Sequence, residues 1–219
     1  METPETLANH YLSRNATIDI GGALSRGWAL VKDNMGVLIG ATLLSWVVTA
    51  GLSFLPLIGQ VIGFVMLGSL DFLFLRRLRG EQVEIGDVFA GFSQAFIPLA
   101  LAGLLKVVLT VVGLILCILP GIYLGVCYVF ALPLVLDKKY EFWTALEVSR
   151  RVVHAHWVMM FVLVIVLAIV ACAGALACLV GLVFTVPLAT AAFMYVYEDL
   201  FGERAAAVVM PPAMPASQF

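Results

Sequence analysis

The sequence predicts an all-α polytopic membrane protein, with six transmembrane helices arranged as three hairpins. Three observations carry that prediction. Apolar and aromatic residues make up 63% of the 219-residue chain and charged residues only 12%, whereas soluble domains carry roughly 45–50% apolar and about 25% charged residues. The mean hydropathy is +1.09. Residues 34–70 contain no Asp, Glu, Lys or Arg, and neither do residues 152–197. A spanning helix needs about 20 mostly apolar residues. This chain has too little polar side chain to cover a water-soluble fold, and too much apolar side chain for disorder. With a net charge of −2 and a pI near 5.9, it also lacks the basic surface of a nucleic-acid binder.

The elements follow in chain order. Residues 1–17 are polar and lack the apolar core of a signal peptide, so they read as a flexible cytoplasmic segment of the mature chain. The first charge-free run is long enough for two spans. It breaks at Leu55-Pro56-Leu57-Ile58-Gly59, because proline removes a helix donor and glycine permits a turn. Span 1 is thus expected at about 36–54 and span 2 at about 60–78. Span 3 is expected at about 96–118, with Pro98 in its tolerant first turn and Lys106 as its one charge. Leu119-Pro120-Gly121 is read as its end, and span 4 covers about 122–136. Residues 174–181 divide the last run into span 5, about 157–177, and span 6, about 182–197. Residues 203–219, rich in Ala and Pro, read as a disordered cytoplasmic tail.

Basic residues near the spans set orientation. Eleven of the twelve Lys and Arg fall in the N-terminal segment, the loop between spans 2 and 3, the loop between spans 4 and 5, or the tail, and Lys106 is the exception. Six spans put all four segments on one side. Both termini are therefore expected in the cytoplasm of a bacterial inner membrane, with Trp28, Trp143 and Trp157 as interfacial aromatics.

Each hairpin is preceded by a related stretch: TIDIGGALSRGW from Thr17, QVEIGDVFAGFS from Gln82 and KYEFWTALEVSR from Lys139. They align an acid (Asp19, Glu84, Glu141), an apolar residue (Ile20, Ile85, Phe142), a small or β-branched residue (Ala23, Val88, Ala145) and a large apolar one (Leu24, Phe89, Leu146). Apolar positions at i, i+3 and i+4 make a helix stripe, as in Ile85, Val88, Phe89, Phe92 and Phe96. The reading is three parallel repeats, about 18–81, 82–138 and 139–202. Each consists of an amphipathic helix on the cytoplasmic face followed by two crossings, and together they form a single domain at 18–202. The pairs Gly36/Gly40, Gly59/Gly63 and Gly121/Gly125 read as close packing within the bundle.

The run Ile118-Leu-Pro-Gly-Ile-Tyr, continuing to Asp137, is followed by Trp143-Thr-Ala-Leu and Ser149-Arg. With Ala23-Leu-Ser-Arg-Gly-Trp28 and Asn34, it resembles a broad, largely uncharacterised group of bacterial integral membrane proteins. That group includes the membrane domain attached to some glycerophosphodiester phosphodiesterases. The resemblance covers about residues 18–202 and implies a six-span inner-membrane protein. It carries over no catalytic residue, since the phosphodiesterase chemistry belongs to a separate soluble domain.

The chain contains no HExxH, GxSxG or Walker pattern and no deep carboxylate pair. Cys117, Cys127, Cys172 and Cys178 lie in apolar runs without metal-ligand spacing. An ionisable residue inside a span is a functional candidate by default. Lys106 and Asp71 are therefore the candidate ligand-binding residues, against a structural reading in which Lys106 snorkels or pairs with Asp71, Glu198 or Asp199. Arg76, Arg77, Arg79, Lys138, Lys139, Arg150 and Arg151 are the candidate contacts for lipid headgroups. His154 and His156 point to different helix faces and read as solvated. The leading expectation is a non-enzymatic protein that organises lipid or assists a membrane partner. The alternative is a small transporter or channel with a site near Lys106. Membrane lipids are the expected partners, alongside a second copy or another membrane protein; no cofactor, metal or nucleic acid is expected.

Overall fold

The computed structural model describes residues 3–14, 16–52, 54–176 and 180–202. The expected tail at 203–219, the end of span 5 at Ala177, and Cys178 lie outside the described residues. The described elements are α1 (Pro4–Leu12), α2 (Ile20–Asp33), α3 (Met35–Leu52) and α4 (Pro56–Leu78). A 3-10 turn, Ile85–Phe89, runs into α5 (Ala90–Gln94). Then come α6 (Phe96–Leu116), α7 (Ile118–Cys127), α8 (Ala131–Asp137), α9 (Phe142–Ala155), α10 (Trp157–Leu176) and α11 (Val180–Phe201). Six stretches are long and apolar enough to cross a membrane: Met35–Leu52, Ile58–Leu78, Phe96–Leu116, Ile118–Asp137, Trp157–Leu176 and Gly181–Phe201.

Four expectations are corrected. The N-terminal segment, expected to be flexible, carries a helix: Pro4 opens α1, and the Thr3 side chain caps it by accepting from the Thr6 N–H. This helix docks on α9 through buried Ala8 and Tyr11, with Glu5 paired to Arg151. Span 3 ends at Leu116 rather than at Leu119-Pro120-Gly121, and the chain reverses over the single extended residue Cys117. Pro120 then sits in the first turn of α7, where its missing N–H costs nothing. Glycines make so tight a reversal feasible. A Cβ on Gly113 would lie 3.0 Å from Gly121 Cα, and one on Gly121 would lie 2.6 Å from the Leu114 backbone nitrogen.

Span 4 is two helices, α7 and α8, interrupted at Tyr128–Phe130, because Pro133 removes the donor that would bond the Val129 carbonyl. The Ser149 hydroxyl, donating from α9, satisfies the Cys127 carbonyl at 2.7 Å beside the break. The stretch before span 3 is a 3-10 turn followed by a short helix rather than one amphipathic helix. Its Gly91 N–H donates to Ser69 Oγ at 2.9 Å, and a Cβ there would meet the same oxygen. Ile85, Phe89 and Phe96 are each about two-fifths exposed.

The packed core lies at one end of the bundle. Leu70, Leu73, Phe74, Leu75 and Leu78 of α4 meet Phe130 and Leu132–Leu136 around α8, together with Met194, Tyr197, Leu200 and Phe201 of α11. Phe130 stacks on Phe193 and contacts Tyr197 and Phe201. We call this end the base. The hairpin tips are bare: Phe54, Leu116, Leu119 and Leu176 are 76–87% exposed, as suits apolar surface solvated by lipid. Within each hairpin the second stretch is the more buried: 56% of residues against 22% in the first hairpin, 56% against 22% in the second, and 39% against 17% in the third.

Each short segment ahead of a hairpin packs on a different hairpin. The segment Ile85–Gln94 leans on α3 and α4, α9 lies along α6, α7 and α8, and α2 packs on α11. The α2–α11 contact needs Gly27, where a Cβ would lie 2.9 Å from the Ala192 backbone nitrogen. The ring of contacts thus closes from the first segment onto the last span.

Candidate functional site

The ends of α4, α8 and α11 converge on one ionic centre at the base. Arg79 follows α4, Asp137 ends α8 and Glu198 lies in the last turn of α11. Arg79 Nη1 donates to Asp137 Oδ1 at 2.5 Å, and Nη2 donates to Asp137 Oδ2 at 3.1 Å and to Glu198 Oε2 at 2.8 Å. Arg79 Nε also donates to Glu198 Oε2 at 3.0 Å, and the Tyr197 hydroxyl donates to Asp137 Oδ2 at 2.8 Å. The Asp137 and Glu198 side chains are only 5% and 8% exposed. A forked guanidinium satisfying two buried carboxylates is the geometry in which such charges are tolerated. Burial opposes the Arg79 charge, yet the hydrogen bonds it donates to the two carboxylates hold its pKa above the usual range.

Arg79, read from the sequence as a headgroup contact, is held in this centre with its side chain 25% exposed. The other headgroup candidates also meet protein groups. Arg76 pairs with Glu81 at 2.7 Å and Asp87 at 3.4 Å. Arg77 donates to Asn34 Oδ1 and to the Glu81 carbonyl. Arg150 and Arg151 share Glu147. Hydrogen bonds from Arg150, ahead of the opposing effect of burial, hold the Glu147 carboxyl below the ordinary range. Lys138 stands 3.6 Å from Asp137. Lys139, in the left-handed region at φ 56°, donates to Gln94 Oε1 at 3.0 Å. His154 and His156 are not simply solvated: one meets the Tyr123 hydroxyl at 2.9 Å and the other the Val152 carbonyl at 3.2 Å.

The two in-span candidates lie on neighbouring helices, α4 and α6. Asp71 on α4 is 6% exposed, and Lys106 on α6 is half-buried. They are farther apart than an ion-pair contact, and no described residue hydrogen-bonds the Asp71 carboxylate. The alternative partners considered for Lys106 are engaged elsewhere: Glu198 by Arg79, and Asp199 by Arg26 at 2.7 Å.

Sequence reasoning did not single out the cavity between α3, α4 and α11. Its volume is about 630 Å³, within the range of about 300–1,000 Å³ typical of ligand sites. Phe64, Met66, Leu67, Leu70 and Val186 supply apolar walls, while Ser45, Thr49, Gln60 and Thr190 are the polar groups facing it. Ser45 is 5% exposed, and its hydroxyl has no hydrogen-bond partner. Trp46 and Leu67, 37% and 47% exposed, form the open rim. The polar positions fall on three helices, so no linear motif marks them. Among the described residues, no cluster of His, Cys, Asp and Glu has a metal-binding arrangement.

This architecture defines a multi-pass helical membrane protein. Comparison with known proteins adds distant relatives. Proteins of Mycobacterium bovis and Mycobacterium tuberculosis, both named only as uncharacterised, are each 28% identical over 139 residues. The match covers 60% of this chain and 40% of each relative, so the chain spans about two-fifths of the curated relatives it matches. No family model matches, and no solved structure matches.

Proposed function

We propose that the protein is a non-enzymatic, multi-pass inner-membrane protein that organises lipid by holding an acyl chain between α3, α4 and α11. The observation that carries this reading is the cavity: largely apolar, of ligand size, and open along a rim of Trp46 and Leu67. In a bilayer such a hollow is filled by what surrounds it, because an empty void forfeits dispersion contacts and water finds few partners among apolar walls. Gln60, Thr49 and Ser45 offer hydrogen bonds to an ester group or polar substituent on the chain.

Three parallel units of about 18–81, 82–138 and 139–202, with both termini cytoplasmic, belong to the same proposal. Its support is the basic-residue bias, the more buried second stretch of each hairpin, and the cyclic packing of each preceding segment on another hairpin. Native mass spectrometry of the detergent-extracted protein tests the lipid reading. Wild type should retain a lipid adduct, and Gly63→Phe, which fills the cavity, should lose it while keeping its unfolding midpoint. Equal retention by both would overturn the reading.

A second reading, transport of a solute or lipid through a site at Lys106, rests on the buried Asp71 side chain on the neighbouring span, which no described residue hydrogen-bonds. Proteoliposome flux abolished by Lys106→Met in a normally folded protein would favour it over lipid organisation.

A further inference from the structure

We infer that the base of the bundle carries a phosphate-binding pocket between α1 and the chain that links α8 to α9, a site independent of the acyl-chain cavity. The pocket has a volume of about 340 Å³ and is lined by Thr6, Leu7, His10, Tyr11, Arg14, Lys138 and Tyr140. Two of these side chains, Arg14 and Lys138, are basic, and none of the lining side chains is a carboxylate. Two acids beside lining residues in the sequence are engaged elsewhere: Asp137 by Arg79, and Glu5 by Arg151.

The hydrogen-bond inventory leaves the pocket rich in donors. Arg14 cannot accept, so its 2.8 Å contact with His10 Nε2 makes that nitrogen the acceptor and places the proton of the neutral ring on Nδ1. Arg14 also donates to the Gly202 carbonyl at 2.9 Å. Two of its five N–H groups are thereby used and three remain. The Lys138 ammonium is loosely ion-paired with Asp137 Oδ2 at 3.6 Å, beyond good hydrogen-bond range, and keeps protons for a further acceptor. The Tyr11 and Tyr140 hydroxyls lie 3.0 Å apart, so one donates to the other and the second keeps a free proton. Thr6 spends its hydroxyl proton on the Thr3 carbonyl. The side-chain groups left over are therefore N–H and O–H donors around two positive charges.

An anion with several acceptor oxygens fits this inventory, and a phosphate ester presents them in the compact, tetrahedral form that diverging donors surround. The same chemistry comes from two sources: a free phosphate, or the headgroup of an anionic phospholipid at the membrane face. The pocket draws on α1, on the chain after α8 and, through Gly202, on the end of α11. An occupant would therefore fasten the N-terminal helix to the base of the bundle.

The test uses the full chain in maltoside micelles and reads the thermal-unfolding midpoint. One arm adds inorganic phosphate against chloride at equal ionic strength; the other adds phosphatidic acid against phosphatidylcholine. A rise with inorganic phosphate identifies a free phosphate ligand, and a rise with phosphatidic acid alone identifies a headgroup; both support the inference. Lys138→Gln should weaken the effective one roughly tenfold or more, the loss expected on removing a charged hydrogen-bond donor. If Lys138→Gln folds poorly, His10→Ala, on the exposed side of α1, takes its place. No rise in either arm overturns the inference, and so does a rise that survives both substitutions.

Discussion

Replacing Arg79 with Met leaves two carboxylates, each more than nine-tenths buried, without their shared cation. Asp137 keeps the Tyr197 hydroxyl and the more distant Lys138, while Glu198 loses its hydrogen bonds to the guanidinium. Removing one member of a buried ion pair costs about 3–5 kcal/mol. For a chain of this size each kcal/mol moves the unfolding midpoint by roughly 2–4 °C, so the expected drop is about 6–20 °C. The assay is thermal unfolding in micelles followed by tryptophan fluorescence. Arg79→Met combined with Asp137→Asn and Glu198→Gln should recover most of the loss, because exchanging a whole buried ionic cluster for neutral groups is often close to neutral. A midpoint for Arg79→Met within about one degree of wild type, or a triple variant no better than the single one, would refute the claim that this centre ties the three hairpins together.

Three further outcomes are expected. Gly27→Leu should lift α2 from α11, because even a Cβ there lies 2.9 Å from the Ala192 nitrogen; hydrogen exchange should quicken in α2 while α4 stays protected. A double-mutant cycle of Asp71→Asn and Lys106→Met should give a coupling of roughly 0.5–3 kcal/mol, and strict additivity would show that the two charges ignore each other. Glu147 is held below the ordinary carboxylate range, so its contribution is full above the unfolded value of about 4.3 and fades as pH falls through the lower folded value. The advantage of wild type over Glu147→Gln should therefore disappear on acidification below that point and persist near neutrality.

The spans were legible because lipid-facing helices must be long and apolar, a property that composition and charge-free runs report directly. The breaks were less so. Pro120 reads as a stop in one dimension, yet with Cys117 extended before it the same residue opens α7. Pro133 breaks span 4 three to five residues upstream, at Tyr128–Phe130, in a run with no other signal. Asp71 and Lys106 stood out in the sequence because charges inside spans are rare. The ionic centre was hidden, since Arg79, Asp137 and Glu198 each look like ordinary residues at a span end, and only the convergence of three helices makes them neighbours. The N-terminal helix was missed because its polar composition resembles a loop and its burial comes from docking on α9.

The acyl-chain cavity is the claim on which the functional account rests. Its most direct test is photo-crosslinking in proteoliposomes with a phospholipid that carries a diazirine on the acyl chain, followed by peptide mapping. The account predicts adducts at cavity positions such as Ser45, Gly63 and Thr190, and their loss in Gly63→Phe. Adducts confined to outward-facing residues such as Val47, Val158 and Ile169, unchanged by Gly63→Phe, would contradict it.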